Sequence, residues 1–450
     1  MLKRGLNPQR IRVFYKVAIH FEPGKYLAYK YGIIKIINYL RKGLSQGSTS
    51  AAFINQGSNT NRMTAKWGFA LCIILMAISC RKPFNPVEIT SDKNSYLVIE
   101  GVIDNGTDST IIKISRTQKI NTNHTIKPEP NALVTVENDA KDSFNLAETV
   151  PGRYAAQPVT LVAAHKYRLH IKTADHKEYV SDYVDVKNSP AIDSVGFNAQ
   201  PDGVQIYLNS HDASNSTHYY RWDYSESWQF HTKYPSGYFN SLAPRKPGEQ
   251  IFNCFAGDSS TNVTLASSTK LAQDIIYQAP ITKIPATAEK IETKYSILVR
   301  QYALTVDAYT FWLNLQNNTE KLGGIFDVLP SDNQTNYRCL SDPAELVVGY
   351  LSVGKTATKR VFITADKLPA SYSAVYPCDC RIDTVFNNPP HPFTRPYSEV
   401  IGPNSPYSIV DGLYLPPPDP FGHPTAYTYS TILCVDCTVR GTRAAPPFWK

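Results

Sequence analysis

Residues 218–230 read HYYRWDYSESWQF, and aromatic side chains recur in this stretch at every second position. Successive side chains of a β-strand point to opposite faces, so this spacing places the aromatic residues together on one face. They are Tyr220, Trp222, Tyr224, Trp228 and Phe230. Glu226 is the one polar residue on that face. The pattern predicts a long strand whose aromatic face is buried in a sheet core, and an aromatic platform for carbohydrate is the alternative.

Short strand patterns precede this stretch at close spacing. They fall at residues 96–103, 110–115, 132–137, 143–146, 154–157, 167–173 and 178–184. About seven short strands in roughly 95 residues is the size of an immunoglobulin-like sandwich. We therefore predict a first β domain over residues 95–187, ending before the break Lys187-Asn-Ser-Pro190.

A second β domain is predicted over residues 188–370. Besides the aromatic strand it has strand patterns at residues 295–304, 345–353 and 360–364, and a helical pattern at residues 307–322. Asp307 suits the first turn of that helix, and Gly323-Gly324 would end it. The predicted fold class is mainly β, with two tandem immunoglobulin- or fibronectin-III-like sandwiches and one helix inserted in the second.

The C-terminal residues 371–450 differ in composition. They hold fourteen of the chain's 32 prolines, and proline interrupts both sheet ladders and helices. We therefore expect an irregular tail that is ordered only where covalent links hold it.

Six cysteines follow residue 80, and we expect them to form disulfides. They are Cys254, Cys339, Cys378, Cys380, Cys434 and Cys437. An even number in an exported chain favours disulfides. The expected pairing joins Cys254 to Cys339 and links the close pair Cys378/Cys380 to the pair Cys434/Cys437.

Two alternatives remain open for the two close cysteine pairs. Four thiolates could bind zinc, with His391 and His423 nearby in sequence, or the pairs could be redox-active. We expect neither a metal nor a cofactor.

Residues 63–80, MTAKWGFALCIILMAISC, have the form of a bacterial lipoprotein signal. A single Lys66 precedes the uncharged residues 67–78, and small residues stand just before Cys80. Twelve uncharged residues are too few for a membrane span, which needs about 20. We expect Cys80 to be acylated and to anchor the protein to a membrane, with residues 81–94 as a polar tether.

The positive net charge of the chain lies before this signal. Residues 1–62 hold eleven basic residues and one acidic residue, and Lys66 adds one more basic residue. Residues 81–450 therefore hold 46 − 12 = 34 basic and 38 − 1 = 37 acidic residues, a net charge of −3. This balance argues against nucleic acid as a partner. We expect translation to start at Met63, with residues 1–62 a mis-assigned, disordered extension.

Three segments carry a resemblance to a known family. They are LVIEGVI after the lipid cysteine, the strand-helix-strand block KYSILVRQYALTVDAYTFWLNLQNNTEKLGGIFDVLPSDNQTNYRCLSDPAELVVGYLSVGKTATKRVFI, and the closing CVDCTVRGTRAAPPFWK. The chain from Cys80 to Lys450 resembles the Bacteroidetes lipoproteins grouped as domain of unknown function 4249. The resemblance implies a cell-envelope lipoprotein of two β domains, commonly encoded beside a TonB-dependent outer-membrane transporter. It implies no catalytic residue.

The side of the membrane stays open. Surface lipoproteins of this phylum tend to carry acidic residues after the lipid cysteine, whereas Arg81 and Lys82 follow here. The expected location is the outer membrane, facing either the periplasm or the surface.

Residues 349–356, GYLSVGKT, match the phosphate-loop pattern by letter. That loop binds phosphate because its backbone N–H groups open onto a helix, whereas strand patterns stand on both sides here. We expect a hairpin turn and no nucleotide.

The expected function is a non-catalytic accessory or ligand-binding protein of a TonB-dependent uptake system. A structural or adhesive cell-surface lipoprotein is the alternative. An envelope hydrolase has no supporting motif.

Overall fold

The computed structural model describes residues 95–106, 109–118, 126–320, 334–376, 378–386, 397–402, 405–414 and 423–449, and these belong to one structural unit. The expected extension, lipoprotein signal and tether lie outside the described residues, as do Cys80, His391 and the predicted end of the helix. Within the described ranges no helix is both long and apolar enough to cross a bilayer.

Nearly half of the described residues lie in strands, far more than in helices. In chain order the strands are β1 (Leu97–Asp104), β2 (Thr110–Arg116), β3 (Lys127–Pro128), β4 (Leu133–Asn138), β5 (Ser143–Val150), β6 (Arg153–Ala156), β7 (Lys166–Lys172), β8 (Glu178–Ser181), β9 (Val184–Asp185), β10 (Ile192–Gln200), β11 (Gly203–His211), β12 (Tyr219–His231), β13 (Asn253–Ser259), β14 (Thr264–Ser267), β15 (Ile275–Pro285), β16 (Lys294–Ala303), β17 (Tyr337–Cys339), β18 (Val347–Val348), β19 (Ser352–Gly354), β20 (Ala357–Thr364), β21 (Asp383–Phe386), β22 (Tyr407–Leu413) and β23 (Ala426–Thr431). The helices are α1 (Val306–Glu320) and α2 (Tyr397–Val400), with short 3-10 helices at Pro247–Glu249, Glu289–Ile291, Ala365–Lys367, Ile432–Cys434 and Cys437–Val439. The mainly β fold class is confirmed, while the immunoglobulin-like form of each half stays a prediction.

The first sheet wraps around one apolar core. Its described strands run in the order β17-β8-β7-β4-β5-β6-β2-β1-β18, and β5 pairs with both β4 and β6. Alternation decides which side chains enter the core: in β7, Tyr167, Leu169 and Ile171 are buried while Arg168 and His170 are only partly covered.

Three strands of this sheet come from a part of the chain assigned by sequence to the second domain. Strands β18 and β19 pair with β1 in parallel, and β17 pairs with β8. The expected boundary at residue 188 therefore does not divide the chain into two contiguous domains. Local periodicity identifies a strand but not its partner, which here lies more than 150 residues away.

A largely covered carboxylate helps to fix this returning segment on the first sheet. Glu345 accepts hydrogen bonds from Arg116 Nη1 (3.1 Å), Lys177 Nζ (2.5 Å) and Tyr179 OH (2.7 Å). Burial opposes ionisation of Glu345, but the bonds from Lys177 and Tyr179 outweigh it and lower the pKa of the carboxyl.

The second core lies between two further sheets, β10-β11-β15 and β13-β12-β16-β20, with β14 also paired to β12. The predicted aromatic strand is β12. Its Tyr220, Trp222 and Phe230 are at most 1% exposed, so they are core residues and leave no carbohydrate platform there. The predicted helix is α1, which begins after Thr305, whose Oγ1 accepts a hydrogen bond from the Ala308 backbone N–H (3.2 Å).

The C-terminal region contains a sheet, contrary to the expectation of an irregular tail. Strands β21, β23 and β22 pair in that order around Val385, Ile409 and Tyr427. None of the three strands contains proline, because the prolines fall in the segments between them. A high proline content therefore did not prevent sheet formation.

Candidate functional site

Two disulfides hold the C-terminal region. Cys254 of β13 pairs with Cys437, 183 residues away, and Cys380 pairs with Cys434, 54 residues away. The link between the two close pairs is confirmed for Cys380–Cys434. The expected Cys254–Cys339 bond is wrong, because Cys339 is buried in β17 within the core of the first sheet while Cys254 lies against Phe230.

A free thiol lies beside one of these disulfides. The sulfur atoms of Cys378, Cys380 and Cys434, which we call the sulfur cluster, all lie within 4.8 Å of one another. Cys378 is not bonded, and its Sγ is 3.6 Å from Cys380 Sγ. Cys380 and Cys434 are joined in a disulfide, so they are not the thiolates that a zinc ion would need as ligands. The disulfide-bonded protein therefore does not fit the zinc site considered from the sequence. His423 is not part of this group.

A group of charged and aromatic side chains surrounds the 3-10 helix Glu289–Ile291. We call the side chains of Glu226, Trp228, His231, Glu289, Lys290, Glu292, Tyr295, Tyr376 and Arg440 the junction cluster, because they connect β12 and β16 with the C-terminal region.

Glu226 lies at the centre of one half of the junction cluster. Its carboxylate, only 6% exposed, accepts hydrogen bonds from Lys290 Nζ and from Tyr295 OH (2.8 Å). Lys290 Nζ also lies 4.7 Å from the centre of the Trp228 ring. Burial first, and then the Glu226 charge, raise the pKa of Tyr295 well above its usual value. The one polar residue on the aromatic face is therefore matched by a cation and a hydroxyl.

The other half contains an ion pair and a bridging tyrosine. Arg440 Nη1 is 2.7 Å from Glu289 Oε2. His231 Nε2 is 3.4 Å from Glu292 Oε1, and Tyr376 OH donates to the same oxygen (3.2 Å). Burial and the Glu292 charge raise the pKa of Tyr376 to about 12, so its hydroxyl stays a donor at neutral pH.

Several buried polar atoms of the junction cluster have no hydrogen-bond partner among the described residues. The donors are Trp228 Nε1 and Arg440 Nε and Nη2, and the acceptors are Glu289 Oε1 and Glu292 Oε2. Buried polar atoms are normally paired, so a water or a polar ligand is expected there.

A cavity of about 420 Å³ lies elsewhere, between β1 and the start of β20. Its one carboxylate, Asp104, accepts from the backbone N–H of Gly106 (2.6 Å) and of Thr356 (3.3 Å), so both of its oxygens are engaged. Lys359 Nζ donates to the Ile192 carbonyl (3.2 Å). These contacts hold the wall of the cavity together and leave no evident acid–base pair among its lining residues.

The phosphate-loop-like residues 349–356 border this cavity without forming such a loop. The expected hairpin is wrong, because β19 pairs with β1 and β20 pairs with β16, so the turn crosses between sheets. A strand follows it instead of a helix. Gly354 has φ +156°, and a Cβ there would overlap the Lys187 carbonyl oxygen. Glycine is needed at position 354 because the backbone there passes close to the backbone of Lys187.

Taken together, the described residues define a mainly β protein whose C-terminal region is held by two disulfides and by the partly buried ion pair of Arg440 with Glu289. A family model described as "Domain of unknown function (DUF4249)" matches residues 81–360, more than half of the chain. The chain belongs to this family. No curated protein matches the chain. The family match ends within β20, so the sulfur cluster and Arg440 lie beyond it.

Sequence reasoning found part of these sites. It singled out Glu226 as an exception and the cysteines of the sulfur cluster as a group. It missed Lys290, Tyr295 and Arg440 as partners, because nothing in their local sequence indicates which distant strand they contact.

Proposed function

We propose that this protein is an exported, lipid-anchored binding protein of the outer membrane that serves as a non-catalytic accessory in TonB-dependent uptake. The observation that carries the proposal is a lipoprotein-type signal ending at Cys80, followed by a body that forms two disulfides. Disulfides persist in oxidising compartments outside the cytoplasm. The uptake role rests on the family resemblance.

The junction cluster is the proposed ligand site. Its carboxylates each have a cationic or hydroxyl partner, which suits holding a ligand better than transferring protons. Its unpartnered donors and acceptors would recognise a polar molecule carrying both kinds of group.

The membrane anchor is tested by cell fractionation in the native organism. We expect the wild-type protein in the outer-membrane fraction with acyl chains on Cys80. The Cys80→Ser variant should leave that fraction, because the acylated sulfur is absent. A wild-type protein with an unmodified thiol at position 80 would contradict the proposal.

The partner is tested by cross-linking in intact cells, followed by purification of the wild-type protein. A TonB-dependent barrel should be recovered with the wild type and lost with Cys80→Ser. If no TonB-dependent barrel is recovered with the wild-type protein from cells grown on several nutrient sources, the uptake role is contradicted.

Ligand binding is tested by thermal unfolding with maltohexaose and triglycine as probes. A ligand that binds only the folded state raises the unfolding temperature. Arg440→Met should abolish any rise, whereas Arg338→Met, which removes a surface ion pair with Asp182, should keep it. A rise that survives Arg440→Met would place binding elsewhere.

A structural or adhesive surface role is the second candidate. Large apolar side chains are exposed near the start of β15, where Leu271 is 56% and Tyr277 76% exposed. Exposed apolar patches favour protein contacts. Loss of cell adhesion on Tyr277→Ser, with nutrient uptake unchanged, would favour this role.

A further inference from the structure

The sulfur cluster places a free thiol against a disulfide. Cys378 Sγ is 3.6 Å from Cys380 Sγ, which is bonded to Cys434 Sγ. Cys378 and Cys380 are partly exposed, whereas Cys434 is fully buried with Val410 and Val435. Attack by a thiolate on a disulfide sulfur needs such proximity together with an approach along the S–S axis. All three sulfurs lie within 4.8 Å of one another, so the Cys378 side chain has to rotate to bring its Sγ into line with the Cys380–Cys434 bond.

We propose that Cys378 is the nucleophile of an internal thiol–disulfide exchange. After Cys378 loses its proton to water, its thiolate attacks Cys380 Sγ. A Cys378–Cys380 bond forms, the Cys380–Cys434 bond breaks, and the electron pair leaves on Cys434, which then takes up a proton. One thiol and one disulfide exist before and after the step, so no oxidant or reductant is consumed.

Thr431 is positioned to assist both ends of this exchange. Its hydroxyl is 3.0 Å from Cys434 Sγ and 3.6 Å from Cys378 Sγ. The hydroxyl has one hydrogen, so it donates to one sulfur at a time. It can therefore stabilise the attacking thiolate first and the departing Cys434 thiolate afterwards.

The exchange changes what the disulfide connects. The Cys380–Cys434 bond links the segment before β21 to the 3-10 helix Ile432–Cys434, while the Cys378–Cys380 bond spans two residues and links no other element. The Cys254–Cys437 bond is untouched. The exchange moves the disulfide to two partly exposed residues, where an external thiolate, such as that of a thiol oxidoreductase, can reach it.

The experiment maps which sulfur is free in the full-length protein. The protein is held at mildly alkaline pH, quenched in acid, unfolded in acid and labelled with N-ethylmaleimide before trypsin digestion. Trypsin leaves Cys378 and Cys380 in residues 368–381, and Cys434 in residues 382–440. The buried free thiol of Cys339 provides the reference for complete labelling.

We expect label on both Cys378 and Cys434, with the Cys434 share rising to at least about one tenth, together with residues 368–381 released carrying an internal disulfide. Cys378→Ser should leave Cys434 unlabelled. Thr431→Val should lower the Cys434 share about threefold, since the closer hydrogen bond is lost, whereas Thr431→Ser should preserve it.

Two results would overturn the proposal. The first is wild-type label confined to Cys378 and Cys339 after prolonged incubation. The second comes from Cys434→Ser treated with oxidised glutathione, in which Cys378 and Cys380 should be joined to each other. Recovery of both as separate thiols or glutathione adducts would show that the required bond does not form.

Discussion

Replacing Lys290 with Met should destabilise the second core, because it leaves a buried carboxylate without its cation. Glu226 is 6% exposed, and its two carboxylate oxygens accept hydrogen bonds from Lys290 and from Tyr295. Methionine keeps an apolar stem that can still pack on Trp228. The loss should therefore come mainly from the charge and not from packing.

The size of the effect follows from burial. Removing one partner of a fully buried ion pair costs about 3–5 kcal/mol. The Lys290 side chain is 31% exposed, so water already screens the pair, and we expect about 2–3 kcal/mol. Glu226→Gln should cost only about 1 kcal/mol, because the amide oxygen still accepts from Tyr295 and the stranded ammonium reaches water.

The double variant Glu226→Gln/Lys290→Met separates this mechanism from loss of packing. With neither charge present, its cost should stay near that of Glu226→Gln alone, giving a coupling energy of about 2 kcal/mol. Urea unfolding followed by tryptophan fluorescence measures this, since Trp222 and Trp228 lie on the same strand as Glu226.

Two outcomes would refute the reasoning. One is a Lys290→Met variant within about 0.5 kcal/mol of the wild type. The other is a double variant that loses as much stability as the two single variants together, since additive effects would mean that the two charges do not interact.

Three further predictions concern the rest of the fold. Glu345→Gln should cost about 2 kcal/mol in urea unfolding near neutral pH. Because folding lowers this pKa from 4.5, the stabilisation is present above that value and is lost as pH falls through the folded pKa, so variant and wild type should converge in acid. Replacing both Cys254 and Cys437 by Ala should lower the free energy of unfolding, measured in urea without reductant, by about 3–5 kcal/mol, because the bond closes a loop of 183 residues. A variant as stable as the oxidised wild type would contradict this. Gly354→Ala should lower the thermal unfolding temperature by several degrees, whereas Gly248→Ala, at a site with open space, should not; equal effects would contradict the steric argument.

Much of the fold was predictable because the decisive information is local. The aromatic alternation of residues 218–230 predicted β12, and the helical spacing after Thr305 predicted α1. Strand patterns before residue 187 matched β1, β2 and β7 to within one or two residues. In each case the periodic spacing of apolar side chains within one short segment indicates the strand or the helix.

The candidate sites were less predictable. Glu226 stood out on the aromatic face, but its partner Lys290 comes from a 3-10 helix 64 residues away. The cysteine pairs were recognised, but their connectivity was only partly correct. Sequence spacing does not determine which sulfur atoms meet in the folded chain, because the strands between them set that distance.

The sequence by itself determined the β character of the chain, its long helix, its family and its supply of cysteines, because these depend on residue type and periodicity. Only the tertiary structure decided that β17–β19 return to the first sheet, that the proline-rich region forms a sheet, and that Cys378 lies beside a disulfide. Contacts between distant segments depend on how whole strands pair and pack, and no short stretch of sequence records that geometry.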